Sequence, residues 1–153
     1  MITLMIPGKP LGKQRPRMTR GGHVYTPQQT VNYEVQIKEA FRAEYPDFVP
    51  MDKALRMSVI ASFPIPRSWP MWKQELAMTS TIRMTQMPDG DNILKVTKDA
   101  LNKMAYKDDS QVYTATITKL YGRIPRLLIQ ICEDGLPSQL KKKPDCGTEG
   151  QDE

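Results

Sequence analysis

Apolar residues fall into separated runs of two different periods. Ile2 to Ile6 is a short apolar run stopped by Pro7-Gly8, which predicts a first strand. Leu55 to Phe63 alternates in part and is closed by Pro64-Ile65-Pro66, which predicts a second. Gln111 to Leu120, rich in Val, Tyr, Thr and Ile, and Arg126 to Cys132 beyond Tyr121-Gly122 predict an antiparallel hairpin. Elsewhere the period is helical. Thr26 as N-cap and Pro27 as first helical residue open a helix that runs to Tyr45 and stops at Pro46, its buried face supplied by Val31, Val35, Ala40, Phe41 and Tyr45. Ser68 caps a short helix with Trp72 and Leu76 facing the core at four-residue spacing, and Thr79 to Met84 reads as extended. Ile93, Leu94, Ala100, Leu101 and Met104 mark an amphipathic helix from Asn92 to Met104.

The order strand, helix, strand, short helix, helix, hairpin predicts an α+β fold: a single compact domain with helices packed on a small mixed sheet. Residues 1–134 carry this pattern. It is lost after Glu133, where Gly135, Pro137, Lys141 to Lys143, Pro144 and an acidic end predict a flexible tail over 135–153. A chain of 153 residues suits one domain with a real core. The ten methionines read as fillers of irregular core gaps.

Charge changes the picture more by where it falls than by its total. The net charge of +5 favours an anionic partner. Lys9, Lys13, Arg15, Arg17 and Arg20 occupy residues 9–20 with no acidic residue among them, which reads as a phosphate-contacting, DNA-binding loop. Cys132 and Cys146 have no metal-binding or Cys-x-x-Cys spacing and read as reduced thiols. The short run before Pro7 lacks the flanks of a signal peptide, and no stretch reaches the roughly 18 apolar residues of a membrane span. These features predict a cytoplasmic protein with no membrane partner.

Against this basic background, residues 89–109 carry five aspartates and no glutamate: Asp89, Asp91, Asp99, Asp108 and Asp109. Carboxylates brought together repel, and a hard cation such as Mg²⁺ or Mn²⁺ is the economical neutraliser. On a helix opening near Asp91, Lys95 and Asp99 fall within about 80° of the same face. The plain alternatives are a solvated ion-pair stripe for Asp91, Lys95 and Asp99, and ordinary N-capping for Asp89, Asp91 and Asn92. An EF-hand fails on Leu94 at the glycine position and Ala100 at the closing-glutamate position. A nucleotide-sugar Asp-x-Asp motif is weak in so small a chain.

The string Asp89-Gly-Asp91-Asn92-Ile-Leu94-Lys95, followed by Asp99-Ala100-Leu101 and Asp108-Asp109-Ser-Gln111-Val112, resembles the signature of RusA-type Holliday junction resolvases, small endodeoxyribonucleases common in prophages. Lys9-Pro10, Lys13-x-Arg15-Pro16-Arg17, Tyr25-Thr26-Pro27 and Tyr33-Glu34 are similar to the N-terminal pattern of many members, so the resemblance spans about residues 7 to 113. It implies a Mg²⁺-dependent homodimer, with Mn²⁺ as a substitute ion, that binds four-way DNA junctions and nicks two strands symmetrically. The family's catalytic acids fall on Asp89, Asp91 and Asp109 and its catalytic lysine on Lys95, with Asp108, Asn92 and Asp99 in support. Asp108 also stands among the candidate metal ligands.

The residues suit this chemistry. Carboxylate-held Mg²⁺ activates a water and relieves charge on a phosphorane-like transition state, while Lys95 offers a point charge to phosphate. A catalytically silent DNA-binding protein of phage origin, in which the aspartates only cap a helix, is the competing expectation. Single His23 reads as a solvated loop residue rather than a general base. Tyr25, Tyr33, Trp69 and Trp72 are candidates for stacking on unpaired bases, with Tyr33 and Trp72 better placed in the core and Trp69 exposed. One geometric question stands open. A helix over 92–104 is about 20 Å long, and five extended residues return Asp109 by only roughly 17 Å. Either the chain runs back along the helix, or the helix ends early, or one site draws acids from both subunits.

Overall fold

The structure, a computed structural model, describes residues 1–137. Its elements are β1 (Ile2–Pro7), a small hairpin of β2 (Arg17–Met18) and β3 (Val24–Tyr25), α1 (Gln28–Glu44), β4 (Lys53–Pro64), α2 (Met71–Met78), α3 (Gly90–Leu101), β5 (Val112–Gly122) and β6 (Arg126–Pro137). A single 3₁₀ turn, Asp109–Gln111, precedes β5. Four strands form one mixed sheet in the order β1-β6-β4-β5, with β4 and β5 parallel and the other neighbours antiparallel. The fold is α+β, with three helices and this mixed sheet in one body.

The late hairpin is not formed. β5 and β6 flank β4 on opposite sides, Val59 pairing with Ile117 on one and Ile129 on the other. Arg123–Pro125 carries the chain across the end of β4, which Pro64-Ile65-Pro66 has already turned out of the sheet. Proximity in sequence suggested a turn between partners, but the apolar run of β4 is the better central strand because it is buried from Leu55 to Phe63 at alternate positions and can serve two neighbours.

One face of the sheet is closed. Ile2, Leu4 and Ile6 of β1, Val59 and Ala61 of β4, and Leu127, Ile129 and Ile131 of β6 are buried, and α1 and α3 pack beside one another over them. Each such side chain withdrawn from water contributes about 1.5–3 kcal/mol before entropy is counted. The stripe that α1 buries is Thr30, Tyr33, Ile37 and Phe41; Val31 and Val35, expected in the core, are exposed. Phe41 of the expected face is buried, tilted against Tyr45 and edge-on to Phe48 at 5.4–5.5 Å between ring centroids, while the two valines are not. Tyr45 is half-buried and its hydroxyl accepts from the Thr3 N–H and donates to the Thr3 carbonyl, at 3.0 and 3.1 Å.

α2 buries only Ala77. Trp72 and Leu76 face outward, 63% and 37% exposed, against expectation. Trp69 is the half-buried tryptophan, edge-on to Tyr121 at 5.3 Å with the Lys73 ammonium 4.1 Å above its ring. Residues 79–84 form turns and bends after the Thr79 cap, not a strand. α3 starts at Gly90 and ends at Leu101, three residues before Met104. β6 extends to Pro137, so the first residues of the expected tail belong to a strand; the rest of that tail lies outside the described residues. Among the described residues no helix is long and apolar enough to cross a membrane.

Candidate active site

Two segments distant in sequence meet at the N-terminus of α3. The Lys13 N–H donates to the Asn92 carbonyl at 2.9 Å, so the basic loop lies against the first turn of that helix. Gly12 makes the approach possible: a Cβ there would stand 2.9 Å from Pro88 Cβ and 3.1 Å from Asn92 Cβ. The loop is held from the other side by α1, where the Gln14 N–H donates to the hydroxyl of buried Thr30 at 3.1 Å and the Gln14 amide donates to Gln29 at 2.9 Å. Buried Tyr33 lies beneath it, its hydroxyl pushed up to about 12 by loss of solvent.

The result is an open cavity of about 710 Å³ whose lining includes Lys9, Arg15 and Arg17 on one wall and Asp89 and Asn92 on the other. Lys9, Arg15, Arg17 and Arg20 are exposed and form no ion pair among the described residues. Lys13 differs. Its ammonium is bound to Glu34 of α1 at 3.2 Å and to Asp99 of α3, which spends its charge inside the protein. Burial lowers its pKa, but the hydrogen bonds it donates to those two carboxylates, with their negative charge, outweigh this and leave it raised.

Asp89 stands at the N-cap position of α3, yet its side chain makes no capping hydrogen bond. Asp91 follows in the first turn, exposed, and forms no ion pair with exposed Lys95. Asp89 thus makes no side-chain cap, and of the expected surface stripe Asp99 pairs with Lys13 while Asp91 and Lys95 stay exposed. Hard oxygen donors left free in this way suit Mg²⁺, which is commonly held by one or two carboxylates plus water and substrate phosphate.

Asp109 is elsewhere. Gly90 touches β5 at Ile117, 3.1 Å from an added Cβ, and β5 begins five residues earlier at Val112, about 17 Å back along an extended strand. Beyond Val112, Asp109 lies near Tyr106, whose hydroxyl donates to the Lys98 carbonyl at 2.6 Å late in α3. Burial, with the nearby negative charges of Asp109, Asp99 and Asp108, raises the pKa of Tyr106. So α3 does end early, but this leaves Asp109 at the other end of the helix from Asp89. Among the described residues no three acidic, His or Cys side chains stand together as a metal site.

The adjacent aspartates divide their work. Asp108 closes a capping box: its carboxylate accepts from the Ser110 N–H at 3.3 Å and from the Ser110 hydroxyl, and the Gln111 side chain accepts from the Asp108 N–H at 2.8 Å. The Ser110 hydroxyl first, then its N–H, hold the Asp108 carboxyl below its usual pKa. Asp109 joins that cap through its backbone N–H and not through its carboxylate. Gln111 also donates to the carbonyls of Met51 and Lys53, both at 2.9 Å, which fixes the turn to the start of β4. His23 is exposed in the β2–β3 turn, and Tyr25 is 44% exposed beside it.

Sequence reasoning missed Gly12, Thr30 and Lys119. Lys119, on β5, donates to the carbonyls of Gln86 at 2.8 Å and Pro88 at 3.0 Å, under the segment that leads into Asp89. No local pattern marks these residues, because each acts on a segment far along the chain.

A basic loop and an uncapped carboxylate thus share one cavity on an α+β frame. The chain matches the family model described as Endodeoxyribonuclease RusA over residues 7–132, and it belongs to the RusA endodeoxyribonuclease family. It is also similar to Uncharacterized protein YqaN of Bacillus subtilis (strain 168), 32% identical over 137 residues that cover 86% of this chain and 96% of that protein.

Proposed function

We propose that the protein is a Mg²⁺-dependent, structure-specific endodeoxyribonuclease that resolves four-way DNA junctions by paired nicks, acting as a homodimer in the cytoplasm. The observation that carries this reading is the pair of uncommitted carboxylates, Asp89 and Asp91, the first of which faces exposed Lys9, Arg15 and Arg17 across one cavity. Membership of an endodeoxyribonuclease family supports the nuclease chemistry.

In this reading the loop cations take the DNA backbone and fix its register without reading sequence. Asp89 and Asp91 would hold Mg²⁺, with Mn²⁺ as a substitute, whose chemistry when bound would be to activate a water and relieve charge at phosphorus. Lys95, one turn after Asp91, offers its ammonium to the phosphate as negative charge grows. Asp109 enters the same site from a second subunit, since α3 separates it from Asp89 and Asp91 within one chain. A two-fold dimer then presents two such sites to a two-fold substrate, as paired cutting demands.

The test is cleavage of end-labelled four-way junction, fork and linear duplex with Mg²⁺ and with EDTA. Metal-dependent paired nicks on the junction are expected. Binding without cutting in any metal would instead establish a non-catalytic DNA-binding protein, a reading that the uncapped Asp89 disfavours.

A further inference from the structure

Lys119 is the candidate that the observations carry furthest. It lies on the β5 residue paired with Ala61, on the same face of the strand as Ile117, and is half-buried. Two of its three N–H donors are spent on the carbonyls of Gln86 and Pro88, and among the described residues it has no carboxylate partner. The second of these carbonyls belongs to Pro88, the residue immediately before Asp89.

We infer that Lys119 is a positioning residue for the nuclease site: it fixes the 86–88 segment so that Asp89 enters α3 with its carboxylate turned to the cavity rather than back onto the helix as a cap. Three contacts converge there. Lys119 ties the segment from the sheet side, Gly12 presses on Pro88 from the loop side, and Gly90 seats the helix on Ile117. Two α3 amides, those of Asn92 and Ile93, donate to the Asp89 carbonyl, both at 3.2 Å, so a displaced Asp89 also loosens the first turn. The role in catalysis rests on the proposed nuclease activity; the structural tie does not.

The experiment compares Lys119→Met and Lys119→Arg with the wild-type chain. Lys119→Met should lower kcat for junction cleavage at least tenfold while junction affinity in EDTA stays within twofold, and Lys119→Arg should recover part of the loss. In the same proteins, hydrogen exchange at the Asn92 and Ile93 amides should quicken in Lys119→Met and return toward wild type in Lys119→Arg, with exchange in β1 unchanged. Wild-type cleavage and exchange in Lys119→Met would overturn the inference, as would a loss of protection spread evenly over all elements. A wild-type protein that cuts no DNA removes the nuclease reading alone, and the exchange comparison still decides whether Lys119 fixes the segment.

Discussion

The Lys13 ammonium is bound to the Asp99 carboxylate, 86 positions further along the chain, and the pair ties the basic loop to the second half of α3. With Glu34 as the second acceptor, one side chain joins the loop to both helices that cover the sheet. Asp99→Asn should lower stability by about 1 kcal/mol at neutral pH, the upper range for a pair still reached by water. The pH dependence has a definite sign. Because the folded pKa of Lys13 is raised above 10.5, its contribution is full below that pH and is lost as pH climbs through the folded value. Chemical denaturation of both proteins from pH 7 into the alkaline range should show their difference shrinking only above pH 10.5.

Lys13 and its neighbours should separate cleanly in DNA binding. Arg15→Ala with Arg17→Ala should weaken binding to junction, fork and duplex alike, and should reduce the slope of log affinity against log salt by about 2, roughly 1 for each phosphate that is no longer neutralised. A slope equal to wild type would remove these arginines from the interface. Lys13→Ala should show its effect first in melting temperature.

Gly12→Ala is the smallest change able to separate the two walls of the cavity. The added methyl meets two Cβ atoms at 2.9 and 3.1 Å, and neither can swing aside because each is fixed to its backbone. A loss of about 1–3 kcal/mol is expected from such overpacking. Cleavage should fall further than the unfolded fraction explains, a difference visible when activity is measured well below the melting temperature.

Asp91→Asn should abolish cleavage, by at least a hundredfold in kcat, yet preserve or strengthen junction binding by removing repulsion between carboxylate and phosphate. Asp109→Asn should be inactive too. Since the two acids lie at opposite ends of α3, mixing the two inactive proteins under subunit exchange should restore nicking at one of the two sites. Gel analysis of the mixture decides it: no recovery would show that each subunit works with its own acids or with none.

Much of the frame was legible in the chain because local signals wrote it. Pro7-Gly8 and Pro64 end β1 and β4 where expected, and the apolar stripe of α3 is the one buried, Ile93, Ala100 and Leu101 among it. What failed depended on partners. Which helical stripe of α1 is buried follows from the sheet and from Phe48, not from its own period. Trp72 looked like core by its chemistry, but the residue that α2 buries is Ala77, which stands about 140° from Trp72 around the helix. At the site, the basic loop and Asp89 could be named from sequence, while the sign of a charge could not say that Lys13 points inward. Nor could spacing alone show that the Asp108 carboxylate is spent on a cap and the Asp109 carboxylate is not.

The strand order also governs how the chain can fold as it is made. β4 is central, yet both of its neighbours, β5 and β6, are encoded after residue 111, and β1 pairs with β6 alone. No ladder of the main sheet can therefore close while the first two thirds of the protein emerge from the ribosome. Until β6 is released, β1 has no strand to pair with and β4 keeps one edge open even after β5 has paired with it, a long-range arrangement that slows folding and invites association between nascent chains. A product truncated before Arg126 would keep its basic loop and its aspartates but lack the strand that joins β1 to the rest of the sheet.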